Sequence, residues 1–412
     1  MFHDTLVSFA ERRGIYMKNL LSFLKKEAVL CAAGLLAVIS AFIVPPSAAY
    51  LKYIDHRVLA LLFGLMLVVG GFQSIGFFRY LGDRLLARAS CTRHLCLLLV
   101  FLCFFSSMFI TNDVALLTFV PFAVMLFAMA GEEKLLIPVV VLQTIAANLG
   151  SMLTPIGNPQ NLYLYSSYAF SPTDFVLRML PLSALSAGLL ILCSFLLPNR
   201  PLSAPASGCT ATEFSASAES TDSAGQTSSP TVKIPAVHKL IAYTLLFLVC
   251  LLCVFRLISW PIMLGILICA VFFLDRKLFG SVDYFLLLTF VCFFLFIGNM
   301  QRIPAISDLL RSLITGRELL LGTLFSQCIS NVPAAILLSG FTDQALPLLY
   351  GVNVGGLGTL IASLASVISY RLYSGSRNAR KGAYLKVFTL YNVLFLVVLY
   401  IAAWFLLTSP LN

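Results

Sequence analysis

Residues 148–161 read Asn-Leu-Gly-Ser-Met-Leu-Thr-Pro-Ile-Gly-Asn-Pro-Gln-Asn, and residues 353–366 read Asn-Val-Gly-Gly-Leu-Gly-Thr-Leu-Ile-Ala-Ser-Leu-Ala-Ser. The two stretches align without a gap, pairing Asn148 with Asn353, Gly150 with Gly355 and Thr154 with Thr359. Each interrupts an apolar run. A proline inside a helix removes a backbone donor and clashes with the preceding turn, so Pro155, Gly157 and Pro159 forbid continuous helix over residues 154–161. Gly355, Gly356 and Gly358 have the same effect in the second stretch. Upstream, Ile-Thr-Asn-Asp-Val-Ala at 110–115 aligns on Ile-Ser-Asn-Val-Pro-Ala at 329–334. Each half thus carries an Asn tip followed by a Gly-rich break, and two matches in the same order mark an internal repeat. Further upstream the likeness fades to an apolar run entered near an Asp (Asp55, Asp283), reaching a Gly (Gly71, Gly298) and leaving into Arg-bearing sequence. The repeats cover residues 55–170 and 281–372, to within a few positions.

Outward from these breaks the composition is that of a chain in lipid. Of 412 residues, 60% are hydrophobic and 11% charged, against roughly a quarter charged in soluble domains. Residues 28–44, 58–78, 175–197 and 385–407 contain no acid, and each is long enough to cross a hydrocarbon core of about 30 Å as a helix. Similar runs predict about 11 to 13 membrane segments. Their lack of alternation excludes a β-barrel. The expected fold is an all-α integral membrane protein of two inverted-topology repeats with broken helices and re-entrant hairpins. Residues 1–54 hold a cytoplasmic segment and a first helix, read as retained rather than as a cleaved signal. Residues 55–200 form the first membrane half, 201–234 a disordered linker rich in Ser, Thr, Ala and Pro, and 235–412 the second half. The 11 cysteines lie mostly in apolar segments and read as small hydrophobes, the Cys250 and Cys253 pair included.

The net charge of +10 resides in loops, which reports orientation in the cytoplasmic membrane rather than nucleic-acid binding. A basic start (Arg12, Arg13, Lys18, Lys25, Lys26) puts the N-terminus in the cytoplasm. Arg79, Arg84, Arg88 and Arg93 then fall inside two crossings later, so repeat one enters from outside. Arg276 and Lys277 before repeat two, with Arg371, Arg377, Arg380, Lys381 and Lys386 after it, make that repeat enter from inside. The linker comes out cytoplasmic and the C-terminus outside. Arg302, Arg311 and Arg317 are then external, against the charge rule.

Inverted repeats bring two interrupted helices to one interface near the bilayer midplane, where half-helix ends supply dipoles and unwound backbone supplies ligands. The candidate substrate- or ion-binding residues are Thr111, Asn112, Asp113, Thr154, Gly157, Asn158 and Asn161 in the first half, with Ser330, Asn331, Gly355 and Thr359 in the second. Their amides and hydroxyls can donate to anion oxygens, while freed carbonyls can coordinate Na⁺. Na⁺ at the Asn112 and Asn331 tips is therefore compatible with the pattern, and no resident metal or cofactor is expected. The alternative for any one residue is a helix-bridging or packing role. Asp113 is the clearest acid inside a membrane run, a functional position by default as a proton- or Na⁺-coupling acid; its alternative is a helix cap. Asp343, after a Thr near a loop, reads as a cap or turn residue. No H-E-x-x-H, G-x-S-x-G or Walker-type loop is present, which argues against an enzyme or an ATP-driven pump.

On the Ile-Thr-Asn-Asp-Val-Ala-Leu-Leu-Thr-Phe-Val-Pro tip, the Thr-Pro-Ile-Gly-Asn-Pro-Gln-Asn-Leu break and the Ile-Ser-Asn-Val-Pro-Ala tip, the chain resembles the ion transporter superfamily. That group includes divalent-anion/sodium symporters, citrate transporters and arsenite permeases. The resemblance implies a scaffold and a moving transport body, an elevator-type cycle, homodimers and coupling to Na⁺ or H⁺. The paired Ser-Asn-Thr tips of that family match only in part, since Val332 replaces a hydroxyl residue and Asp113 adds a charge. An acidic tip is similar to the arsenite-permease branch. The expectation is secondary active transport of a small anion, carboxylate or inorganic. An arsenite-like metalloid, a cation/proton antiport or a passive channel stand as alternatives.

Overall fold

The computed structural model describes residues 27–78, 80–81, 89, 91–129, 131–201, 237–376 and 379–409. The N-terminal basic cluster, the stretch 201–234 apart from Pro201, and Arg79, Arg84, Arg88 and Arg377 lie outside the described residues. Among the described residues the protein is helical throughout, with an isolated bridge between Cys91 and Pro201. Seven of its helices are long and apolar enough to cross a membrane, and five shorter apolar helices accompany them. Backbone polar groups have no partner in hydrocarbon other than each other, which is why such runs settle as helices. The protein is an all-α integral membrane protein.

The first half comprises α1 (Ala28–Ile43), the short α2 (Tyr50–Tyr53), α3 (His56–Ser74), α4 (Thr92–Ile110), α5 (Asn112–Met129), α6 (Glu133–Ser151), α7 (Pro159–Ser167) and α8 (Pro172–Phe195). The second comprises α9 (Val237–Val254), α10 (Trp260–Leu274), α11 (Tyr284–Gln301), α12 (Pro304–Ile314), α13 (Glu318–Ile329), α14 (Asn331–Ser339), α15 (Ala345–Val354), α16 (Leu364–Ser374) and α17 (Lys381–Thr408). The breaks fall where proline and glycine demand them: α6 stops at Ser151 and α7 restarts at Pro159, while α15 stops at Val354 and α16 restarts at Leu364 after a 3₁₀ turn at Leu360–Ala362.

Packing sorts the helices into two groups. Helices α9 and α10 lie on α3, α1 lies on α11, and α3 meets α11. Helices α4, α5 and α6 pack together with α16, and α17 joins α6, α8 and α15. The half-helices α7 and α14 pack on each other, with α7 also against α3 and α14 against α11. Lipid provides no hydrophobic drive between helices, so close van der Waals fit must hold these contacts. Two glycines show it: a Cβ at Gly70 would meet the Ser281 side chain, and one at Gly298 the Tyr53 ring. The end of α3 therefore lies beside the start of α11, and the start of α3 beside the end of α11, so the two run antiparallel. Both open on an Asp cap, Asp55 accepting from the Val58 amide at 3.0 Å and Asp283 from the Leu286 amide at 2.9 Å. Helix α12, which carries Arg311 and follows Arg302, has 11 residues, about 16 Å of helix, too short to span the core.

Candidate functional site

Each hairpin turns on a single residue. Thr111 joins α4 to α5 at φ 72°, ψ 150°, and Ser330 joins α13 to α14 at φ 77°, ψ 154°. This is a region that L-residues with a side chain avoid, at a cost of order 1–3 kcal/mol, and such strain collects at functional positions. After the turn, Asn112 caps its own helix by accepting the Asp113 amide on Oδ1 at 3.0 Å, and its Nδ2 donates to Asn148 Oδ1 at 3.1 Å. Its backbone N–H donates to the Gly157 carbonyl at 3.3 Å. In the second half Ser330 Oγ donates to the Ala362 carbonyl at 3.4 Å, the position aligned with Gly157. Asn331 is buried against Gly356, where a Cβ would meet its Nδ2.

The breaks are held in matching ways. Thr154 donates to the Met108 carbonyl, and Thr359 Oγ1 donates to the Gln327 carbonyl at 3.2 Å. Met108 and Gln327 occupy the same place before their Asn tips. Gly150 and Gly355 lie against Ser107 and Ser326, again an aligned pair. In the first break Asn161 Nδ2 donates to the carbonyls of Ser151, Met152 and Thr154 at 3.1–3.3 Å. In the second, Gln327 Nε2 donates to the carbonyls of Gly355 and Leu357, both at 2.8 Å.

The halves then bond across to each other. Asn158, which caps α7 through the Asn161 amide, donates from Nδ2 to Ser151 Oγ at 3.1 Å and Asn353 Oδ1 at 3.4 Å. Asn353 Nδ2 returns a bond to Asn161 Oδ1 at 2.7 Å. Reciprocally Ser363, aligned with Asn158, donates to Oδ1 of Asn148, aligned with Asn353, at 2.9 Å. The N-termini of α5, α7, α14 and α16 all belong to this cluster, and helix N-termini carry partial positive charge.

Two buried polar atoms there have no partner: Asp113 Oδ1 and Asn148 Nδ2. The amide orientation of Asn148 is set by its two donors, Asn112 and Ser363, so its N–H is a spare donor, while Asp113 offers a spare acceptor. A cleft of about 250 Å³ reaches Thr111, Asp113 and Asn158 between α3, α5 and the start of α11. It does not reach Ser330 or Asn331. Among the expected residues, Asn112, Gly157, Asn158 and Asn161 form one connected set, Thr154 and Gly355 hold the breaks, and Thr359 is exposed and occupied with Gln327. Asp343 is exposed in the loop before α15, and its carbonyl accepts the Ala345 amide. Asn148, Asn353, Ser363 and Gln327 were not expected as site residues. Asn148 and Asn353 were visible as the aligned polar residues that end two apolar runs, whereas Ser363 and Gln327 gave no separate signal.

Residues 18–347 match the family model described as citrate transporter. An uncharacterized transporter of Methanocaldococcus jannaschii is 32% identical over 349 residues, which cover 84% of this chain and 88% of that protein. The inner membrane protein YbiR of Escherichia coli is 32% identical over 333 residues, 79% of this chain and 82% of that protein. The silicon efflux transporter LSI3 of Oryza sativa subsp. japonica is 36% identical over 147 residues, 34% of this chain and 30% of its own length.

Proposed function

Because the chain belongs to the citrate transporter family, and is therefore a membrane transporter, we propose that it moves a small anion by coupled secondary transport, with the two Asn tips and the crossed breaks as its binding site. The carrying observation is the reciprocal pair of bonds, Asn158 to Asn353 and Ser363 to Asn148. Equivalent residues exchange partners about a common centre, as two inverted repeats would at the midplane. The antiparallel α3 and α11 and the matching turns at Thr111 and Ser330 support the same reading.

Four helix N-termini and the spare Asn148 N–H suit an anion, carboxylate or inorganic. The unpaired Asp113 oxygen suits a coupling cation, H⁺ or Na⁺, which would offset the anion's charge. Alternating access would be elevator-like: the α4, α5, α6 and α16 group slides against the α3, α9, α10, α1 and α11 group, with α7 and α14 at the seam. The protein would work as a homodimer in the cytoplasmic membrane with its N-terminus inside. A second reading, an uncharged hydroxylated metalloid such as arsenite, draws on the carboxylate beside the tip, and the partial likeness to a silicon efflux transporter agrees with it.

The test is uptake of labelled citrate, succinate, phosphate, sulfate and arsenite into proteoliposomes under imposed Na⁺ or H⁺ gradients. Gradient-driven accumulation that Asn112→Ala and Asn331→Ala each reduce at least tenfold is expected, with Asp113→Asn losing the response to the gradient. Uptake that never passes equilibrium, or that survives both Asn changes, would overturn the two-tip symport reading in favour of a channel.

A further inference from the structure

The cleft that ends at Asp113 has polar groups at both ends and apolar walls between. Buried or half-buried in it stand Thr111, Asp113 and Asn158, and exposed at its edge stand Gln73 at the end of α3 and Ser281 and Asp283 at the start of α11. Asp283 is exposed and Asp113 Oδ1 is buried without a hydrogen bond. Among the described residues, no Lys, Arg or His lines the cleft. Arg276, which precedes Ser281 in the chain, is turned onto the Phe272 ring at 3.9 Å and donates to the Phe272 carbonyl. Two carboxylates, with no cation among the described lining residues, therefore share one space with mostly apolar walls. Such a cleft focuses its field and raises the local concentration and arrival rate of the opposite charge, by about 10- to 1000-fold in steered systems.

We propose that this cleft is a cation-selective vestibule through which a small inorganic cation reaches the Asp113 end of the site, and that Asp283 sets its selectivity. The inference rests on the coupled-transport reading only for what the cation then does. An anion arriving from this side meets the Asp283 carboxylate at the mouth and finds no lining cation among the described residues to offset it, so it enters slowly or in company with a cation. The spare donor at Asn148 and the helix N-termini hold the anion, while the vestibule supplies its counter-charge. Asp283 also caps α11, and that function is separable: an Asn at this position can accept the same Leu286 amide but carries no charge.

The probe is a cysteine at Met66, on the α3 wall of the cleft, treated in proteoliposomes with a cationic and an anionic methanethiosulfonate reagent. Rates are counted above those of the parent and normalised to free cysteine. The Met66→Cys protein should react about tenfold faster with the cationic reagent. Adding Asp283→Asn should shrink that ratio about threefold or more, and Asp283→Glu should keep it. A ratio near one, or one that Asp283→Asn leaves unchanged, overturns the vestibule. In the same vesicles, Asp283→Asn should raise the half-saturating Na⁺ or H⁺ concentration for uptake several-fold, with a smaller change in maximal rate. The driving gradient that shows the shift identifies the cation. Selective labelling with no such shift overturns the coupling role of the vestibule, and selective labelling with no uptake of any solute counts against the transport reading rather than against the charge filter.

Discussion

At Thr111 and Ser330 the backbone adopts φ near +75°, a conformation whose natural occupant is glycine, yet both residues bear side chains. Among the described residues Thr111 has no side-chain hydrogen-bond partner that would hold it there, so the turn is imposed by its neighbours. Thr111→Gly should therefore raise stability by about 1 kcal/mol, the relief of 1–3 kcal/mol of strain less the extra entropy of glycine. A thermal melt in detergent reads this, and a lowered melting temperature would count against a strained tip. The same substitution should slow transport if the tip must be rigid. The crossed amides make a second residue-scale prediction. A double-mutant cycle on Asn158→Ala and Asn353→Ala should show coupling of about 0.6 kcal/mol and at most about 1.7, the range of buried polar pairs between membrane helices. Zero coupling would mean that the 3.4 Å contact between them contributes nothing. That Asn112 and Asn331 stand at the two hairpin turns was legible in the sequence, because an amide between two apolar runs has no cheap place in lipid. That Asn148 keeps a spare N–H was not legible, since it depends on where Ser363 and Asn112 both point.

Among the helices, the tightest approach in the first half is α6 on α4, where a Cβ at Gly150 would run into the Phe104 carbonyl and the Ser107 hydroxyl. Backbone cannot give way there, so Gly150→Ala should destabilise by about 1–3 kcal/mol, as overpacking does. Gly188, an exposed position on α8, meets nothing within 4 Å, and Gly188→Ala should be neutral or stabilising by up to about 1 kcal/mol through helix propensity. Comparing the two melts separates packing from propensity, and equal effects would refute the close approach. The start of α7 and the stop of α15 follow from Pro159 and from Gly355 to Gly358, and these were readable because proline and glycine act within one turn of chain. The short α12 bears on the charge conflict at Arg302, Arg311 and Arg317 without removing it, since a helix too short to span keeps all three on one side. Hydropathy and charge counting assume that every segment crosses or loops, and an 11-residue helix does neither by necessity.

For the molecule as a whole, antiparallel α3 and α11 predict sidedness. Single cysteines at Ser74 and Gly280 should be labelled by an impermeant thiol reagent from one face of the membrane. Cysteines at Ser47 and Arg302 should be labelled from the other, read by comparing intact cells with inverted vesicles. Labelling of Ser74→Cys and Gly280→Cys from opposite faces would break the inverted arrangement. The packing of α4, α5, α6 and α16 on one another, and of α9 and α10 on α3, was not legible in the sequence, because which helix packs on which is a matter of contacts made across the whole chain. The cleft between α3, α5 and α11 is of that kind. Asp113 and Asp283 stood out singly in the sequence, one as an intramembrane acid and one as a helix start, with no sign that they share a cavity.

From the sequence by itself came the membrane environment, the helical class, the two tips and the two breaks. Each of these depends on the local chemistry of the chain: apolar runs cannot leave their amides in water, and proline and glycine end helices wherever they stand. The tertiary structure alone decided that the breaks bond crosswise, that Thr154 and Thr359 hold turns, and that Asp113 is left unpaired at the end of an acidic cleft. Those outcomes depend on atoms from 32 to 215 residues apart in the chain. Whether a polar group is satisfied or spare is fixed by every neighbour that folding brings to it.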